Sequence, residues 1–93
     1  MRNEPAGVTV ILPRALIVLF PEARKTVHVE ADTVDAMLAE LDARWPGMRD
    51  RLRDTSPAIR KHINIFVDGR RAGLATPLSS GDVVYVLTAM SGG

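Results

Sequence analysis

The stretch from Asp32 to Gly47 constrains this chain more than any other. Val34, Met37, Leu38, Leu41 and Trp45 recur at i, i+3, i+4, i+7 and i+11, a single apolar stripe along one helix. Glu40, Asp42 and Arg44 fall off the stripe. Asp32 and Thr33 are both good N-cap residues, and Asp35 puts negative charge in the first turn, where the exposed N–H groups favour it. Pro46-Gly47 ends the helix. Trp45 reads as a large core residue closing that end. A stripe this apolar needs a surface to cover. The rest of the chain offers mainly short β-branched runs, so the surface is one face of a sheet.

Those runs alternate with period two. In Val8–Leu12, Val8, Val10 and Leu12 share a face, and Pro13 stops the strand because it has no N–H for a ladder. Ala15–Phe20 is apolar throughout, and periodicity at this length does not separate strand from helical turn. It is expected to be a connection that buries Leu16, with Leu19 as a second candidate, halted at Pro21. Lys25–Val29 reads as a strand with Val27 and Val29 inward and Thr26 and His28 in solvent. In His62–Val67, Ile63, Ile65 and Val67 face one way and His62, Asn64 and Phe66 the other. Asp68-Gly69 is a hairpin signal, since both residues tolerate positive φ, and Arg70 and Arg71 lie on the return. Leu74 and Leu78 are isolated anchors, and Ser79-Ser80-Gly81-Asp82 is a turn. The last strand, Val83–Leu87, turns Val84 and Val86 inward and Val83, Tyr85 and Leu87 outward beside Phe66. Between helix and third strand, Met48 and Leu52 anchor a short helical turn. Charges alternate from Arg49 to Lys61 in what reads as a solvated loop, broken at Thr55-Ser56-Pro57. The fold class is α+β: one main helix on one face of a mixed four- to five-stranded sheet, the last strand beside the first in its middle.

A chain of 93 residues makes one domain and buries somewhat over ~60% of its unfolded surface. The division expected is a polar arm over residues 1–7, a domain over 8–88 and a tail over 89–93. The absence of cysteine removes disulfides, thiolate nucleophiles and sulfur-ligated metals together. His28 and His62 are too few for a histidine metal site without carboxylate help. A net charge of +1 gives no electrostatic case for nucleic acid or an anionic membrane. Val8–Phe20 is interrupted by Pro13 and Arg14 and is too short to span a bilayer, so it reads as folded structure and not as a signal peptide. No nucleophile–base pair, phosphate loop or metal-ligand spacing stands out, which argues against an enzyme.

The last residues, Thr88-Ala89-Met90-Ser91-Gly92-Gly93, follow directly on the final strand. A glycine pair has no Cβ, so it passes through a channel too narrow for side chains and leaves a carboxylate on a thin stalk. Ordering it gains little and costs backbone entropy, so mobility is expected from about Ser91 onward. Chance alone places Gly-Gly at the end of about one chain in 200. The upstream sequence therefore has to carry the reading.

Thr33-Val34 opening the helix, Ile63-Asn64-Ile65-Phe66-Val67-Asp68-Gly69, Thr76-Pro77-Leu78-Ser79-Ser80-Gly81-Asp82-Val83-Val84 and the Gly-Gly ending stand together in order and spacing. From Val8 to Gly93 the chain resembles the small sulfur-carrier proteins of the MoaD/ThiS family, ubiquitin-like β-grasp domains that end in Gly-Gly. Thr88 stands where the family's tail often carries proline. Leu12-Pro13 replaces the aromatic-alanine pair of molybdopterin-type members, and Met48–Lys61 is longer than in the shortest thiamin-type members. These departures favour the longer, cysteine-pathway-like branch.

The resemblance implies a cytoplasmic cosubstrate and not an enzyme. A ubiquitin-activating-like adenylyltransferase and sulfurtransferase would use ATP and Mg²⁺, bound to itself, to adenylate the Gly93 carboxylate and convert it to a thiocarboxylate. A sulfur-accepting synthase of the cysteine, molybdopterin or thiamin type would take the sulfur. Gly92 and Ser91 would give access, and Phe66, Tyr85, Leu87 and Met90 would form the apolar docking patch. Two other readings share the sequence: a protein modifier joined through Gly93 to lysines, and a plain interaction domain.

Overall fold

The computed structural model describes residues 6–88. Met90, Ser91, Gly92 and Gly93, and the mobility expected of them, lie outside the described residues. Among the described residues the elements run β1 (Gly7–Ile11), α1 (Arg14–Leu19), β2 (Thr26–Glu30), α2 (Val34–Arg44), α3 (Met48–Leu52), β3 (Ile63–Val67), β4 (Arg70–Arg71) and β5 (Val83–Thr88). The strands form one mixed sheet in the order β2-β1-β5-β3-β4. β1 is antiparallel to β2 and parallel to β5, and β5 is antiparallel to β3.

The core lies between one sheet face and α2. Val8 and Val10, Val27 and Val29, Ile65, and Val84 and Val86 point inward, and Val34, Met37, Leu38 and Leu41 of α2 meet them. Met48 and Leu52 of α3 are fully buried on the same side, as their spacing implied. Thr33 caps α2: its Oγ1 accepts from the Ala36 N–H at 3.1 Å. Asp32, equally suited by sequence, accepts instead from the Ala6 N–H at 3.2 Å and ties the first strand to the helix start. Gly47, at φ 99°, makes the turn into α3 that a side chain would strain. Asp42 Oδ1 fastens that turn by accepting from the Gly47 and Arg49 N–H groups at 2.9 and 3.1 Å. Trp45, the C-cap of α2, is half-buried against the core.

The ambiguous apolar run after β1 is the helix α1, and here one expectation fails. Leu16 is buried, but Leu19 is 49% exposed. The helix is only six residues long and ends as Phe20 leaves helical geometry at φ −127°, ψ 77°. Phe20 packs on the core in place of Leu19, its ring facing Gly47.

Asp68 and Gly69 both have positive φ, 49° and 85°, the pair a two-residue hairpin needs. The segment after α3 is held more tightly than a solvated loop. Arg53 bridges Ile59, and Asp54 Oδ1 accepts from the N–H groups of Ser56 and Ala58, each at 3.0 Å, and from the Ser56 hydroxyl. These donors favour the ionised form. The Ser56 hydroxyl and N–H, with the Ala58 N–H and the Arg60 charge, hold the Asp54 carboxyl below its usual range.

Two outcomes follow from this packing. Ile65→Ala should cost ~2–5 kcal/mol in urea unfolding, and Phe66→Ala, on the opposite face, distinctly less; equal losses would mean the strand faces are reversed. A depressed folded pKa gives stabilisation that is present at neutral pH and lost only as pH falls through that pKa. The amide signals of Ser56 and Ala58 should therefore titrate together with a midpoint below that of an ordinary aspartate. A midpoint at or above the ordinary aspartate value would show that the carboxylate does not hold the loop.

Candidate functional site

The sheet face turned away from α2 is not covered by any other described element. Period two along each strand and the register across them fix its composition. Ile11 of β1 lies level with Tyr85 of β5, Tyr85 pairs with Phe66 of β3, and Phe66 pairs with Arg71 of β4. One row across the sheet thus reads Ile11, Tyr85, Phe66, Arg71. In the next row toward the end of β5, Leu87 stands opposite Asn64. Tyr85 is 47% and Leu87 42% exposed, whereas Phe66, flanked on both sides, is half-buried. The Arg71 guanidinium donates to Asn64 Oδ1 and closes one border of the patch. Across the sheet, Thr9 Oγ1 and His28 Nδ1 are hydrogen-bonded at 3.2 Å, and His28 is exposed, as its place in β2 implied.

The structure therefore brings together Phe66, Tyr85 and Leu87, three of the four side chains expected to form the patch. Met90 lies outside the described residues. Ile11 completes the row and was missed. Its position opposite Val10 in the alternation marks it as outward, but only the parallel pairing of β1 with β5 sets it beside Tyr85. Chemically the patch has the make-up of a binding surface: aromatic and aliphatic at its centre, polar at its border, backed by the sheet's central strand. β5 runs to Thr88, one residue beyond Leu87, so the last described residue stands at the edge of this patch. Among the described residues, no three His, Asp or Glu side chains gather as a metal ion would need, and no helix is long and apolar enough to cross a membrane.

A five-stranded mixed sheet in this order, with a capped helix packed across one face, defines a ubiquitin-like β-grasp domain of α+β class. The chain belongs to the ThiS family, whose profile matches residues 11–93. It is 35% identical over 94% of its length to the sulfur carrier protein CysO of Mycobacterium tuberculosis, spanning 99% of that protein. It is 31% identical over 75% of its length to small archaeal modifier protein 3 of Haloferax volcanii, spanning 83% of that protein. Among solved structures, the BexX/CysO complex of Amycolatopsis orientalis contains a chain that matches with a TM-score of 0.82 at 27% identity, covering 92% of this chain and 99% of that one.

Proposed function

We propose that this chain is a sulfur carrier and that Gly93 is the residue that carries the sulfur. What supports the reading most is the placement of β5. The strand that runs into the Gly-Gly tail is the sheet's central strand, held by β1 on one side and β3 on the other. Its last outward side chains, Tyr85 and Leu87, are exposed beside the point of departure. The similarity to CysO over nearly the full length of both chains points the same way.

The chemistry asks little of the domain itself. A carboxylate is a poor acylating group. An adenylating partner, holding ATP and Mg²⁺ in its own site, joins the Gly93 carboxylate to AMP and releases pyrophosphate. A sulfide-level donor then attacks the acyl carbon, the carbon–oxygen bond to AMP breaks, and AMP leaves. The product is a thiocarboxylate, ionised near neutral pH and a soft nucleophile toward an acceptor. Gly92 and Ser91 thread the partner's channel, while Phe66, Tyr85, Leu87 and Met90 dock the domain. The chain is the cosubstrate, and the ATP requirement places the chemistry in the cytoplasm. For the acceptor we favour an activated serine derivative held by a cysteine-forming synthase. A protein partner fits the surface, and the Amycolatopsis CysO is seen in complex with BexX. The similarity to a small archaeal modifier protein favours one second reading, attachment through Gly93 to lysine amines.

Intact mass after incubation with the adenylating enzyme of the same organism, ATP and sulfide tests the reading. One oxygen should be replaced by one sulfur, mapped to the C-terminal peptide. A variant lacking Gly93 should melt with the native protein yet stay unmodified. Adenylation without thiolation, with the chain recovered on lysines of other proteins, would establish the modifier reading instead; no adenylation at all would overturn both. In the same system, Phe66→Ala should weaken binding to the activating enzyme by about 1–2 kcal/mol. Unchanged affinity would remove the outer face from the docking surface.

A further inference from the structure

Four large apolar side chains stand exposed among the described residues: Val18 at 69%, Leu19 at 49%, Tyr85 at 47% and Leu87 at 42%. Two belong to the outer sheet face. The other two are on α1, which the proposed function leaves without a role. Isolated exposed hydrophobes are ordinary on a protein surface. These are not isolated. Leu19 lines a shallow depression with Phe20, Pro21, Trp45 and Pro46, and Glu22 and Arg44 supply its only charges.

The topology puts this depression at the tail's end of the domain. Ile11, the last residue of β1, is level with Tyr85 in the parallel pair β1–β5, so α1, which opens three residues later at Arg14, lies at the end of the sheet where β5 closes at Thr88. β2 starts at the same end, with Thr26 beside Ile11. α2 sets out from the opposite end, where Thr33 bridges Pro77, and brings Trp45 back toward Phe20. All four exposed hydrophobes therefore lie toward the end of the domain where β5 closes.

Reach makes this arrangement consequential. From Thr88 to Gly93 the chain extends at most about 18 Å. β1, which leads directly into α1, lies only one strand spacing from β5, about 5 Å. An active site that closes over the Gly93 carboxylate cannot stand off from this end of the domain. Its rim must meet what is exposed around Thr88. Trp is also among the residue types enriched at energetic centres of interfaces.

We propose that Val18, Leu19 and the depression beside Trp45 form a second docking surface, separate from the outer sheet face, that takes an apolar side chain of the enzyme that adenylates Gly93. This rests on the reading of Gly93 as the activated group, and adds which surface the enzyme grips to orient the tail. Contact on both sides of the exit fixes the rotation of the domain about its own tail, which a single patch leaves loose.

The test is ATP–pyrophosphate exchange with the organism's own adenylating enzyme at varied carrier concentration. Native chain is compared with the Val18→Asp/Leu19→Asp double variant and with Ser80→Asp, a control in the exposed turn at the opposite end. The double variant should melt with the native chain, because neither side chain is buried. Its KM should rise tenfold or more with kcat little changed, the signature of lost docking. Leu19→Lys should move KM in the same direction, which separates a lost apolar contact from a charge clash. The control should behave as native. A native KM in the double variant, while the native chain is activated, overturns this inference and leaves the Gly93 reading standing. A native chain that is never adenylated removes the Gly93 reading and this inference together. A native dimer in sedimentation that the double variant breaks would make a second copy the occupant, also overturning it.

Discussion

Everything in this domain depends on β5 being paired on both sides. The function we propose, in which the chain offers its end to another protein, needs a fixed point from which that end departs. The centre of a sheet is the stiffest point available, because freeing a central strand breaks two ladders where an edge strand breaks one. The parallel ladder to β1 is set by a compact turn. Gly81, at φ 91°, donates its N–H to the Gly7 carbonyl at 2.8 Å, and the Thr9 N–H donates to the Asp82 carbonyl at 3.0 Å. The antiparallel ladder to β3 is set by Asp68, which accepts from the Val83 N–H through its side chain and donates to the Val83 carbonyl through its backbone.

That one strand divides two tasks between its faces. Val84 and Val86 are fully buried against the layer that α2 completes, so they carry stability. Tyr85 and Leu87 point the other way, exposed on the face we propose for docking. The alternation explains why the strand reads as a continuous apolar run when its outer face is not covered by the domain. Selection for burial and selection for binding ask for the same residue types on opposite faces. The same logic extends to α1, where Leu16 is buried and Val18 and Leu19 are not.

What was legible in the sequence was local. The stripe on α2 and the inward and outward sets of each strand follow from residue spacing of 3.6 or 2, and the positive-φ turn at Asp68-Gly69 from the residue types themselves. What was not legible depended on pairing or competition between equivalent choices. Ala15–Phe20 had no period to declare itself a helix, and nothing local favoured Phe20 over Leu19 as the core contact. Asp32 and Thr33 were equal as caps until the position of Ala6 decided between them. Ile11 joins the recognition row only through a strand more than seventy residues away. The ordered turn after α3 rests on one aspartate gathering three donors, a pattern that a list of alternating charges hides. The candidate site was legible for Phe66, Tyr85 and Leu87 because they alternate with core residues, and silent for the surface of α1.

The claim on which the rest turns is that β5 is a rigid mount for the chain's end. Native-state hydrogen exchange across a denaturant series tests it directly. The account predicts that the amides of Val84, Tyr85 and Val86 exchange only through global unfolding, with an opening free energy equal to that of α2 and β1. Opening of β5 at a clearly lower free energy, with α2 and β1 still protected, would contradict it.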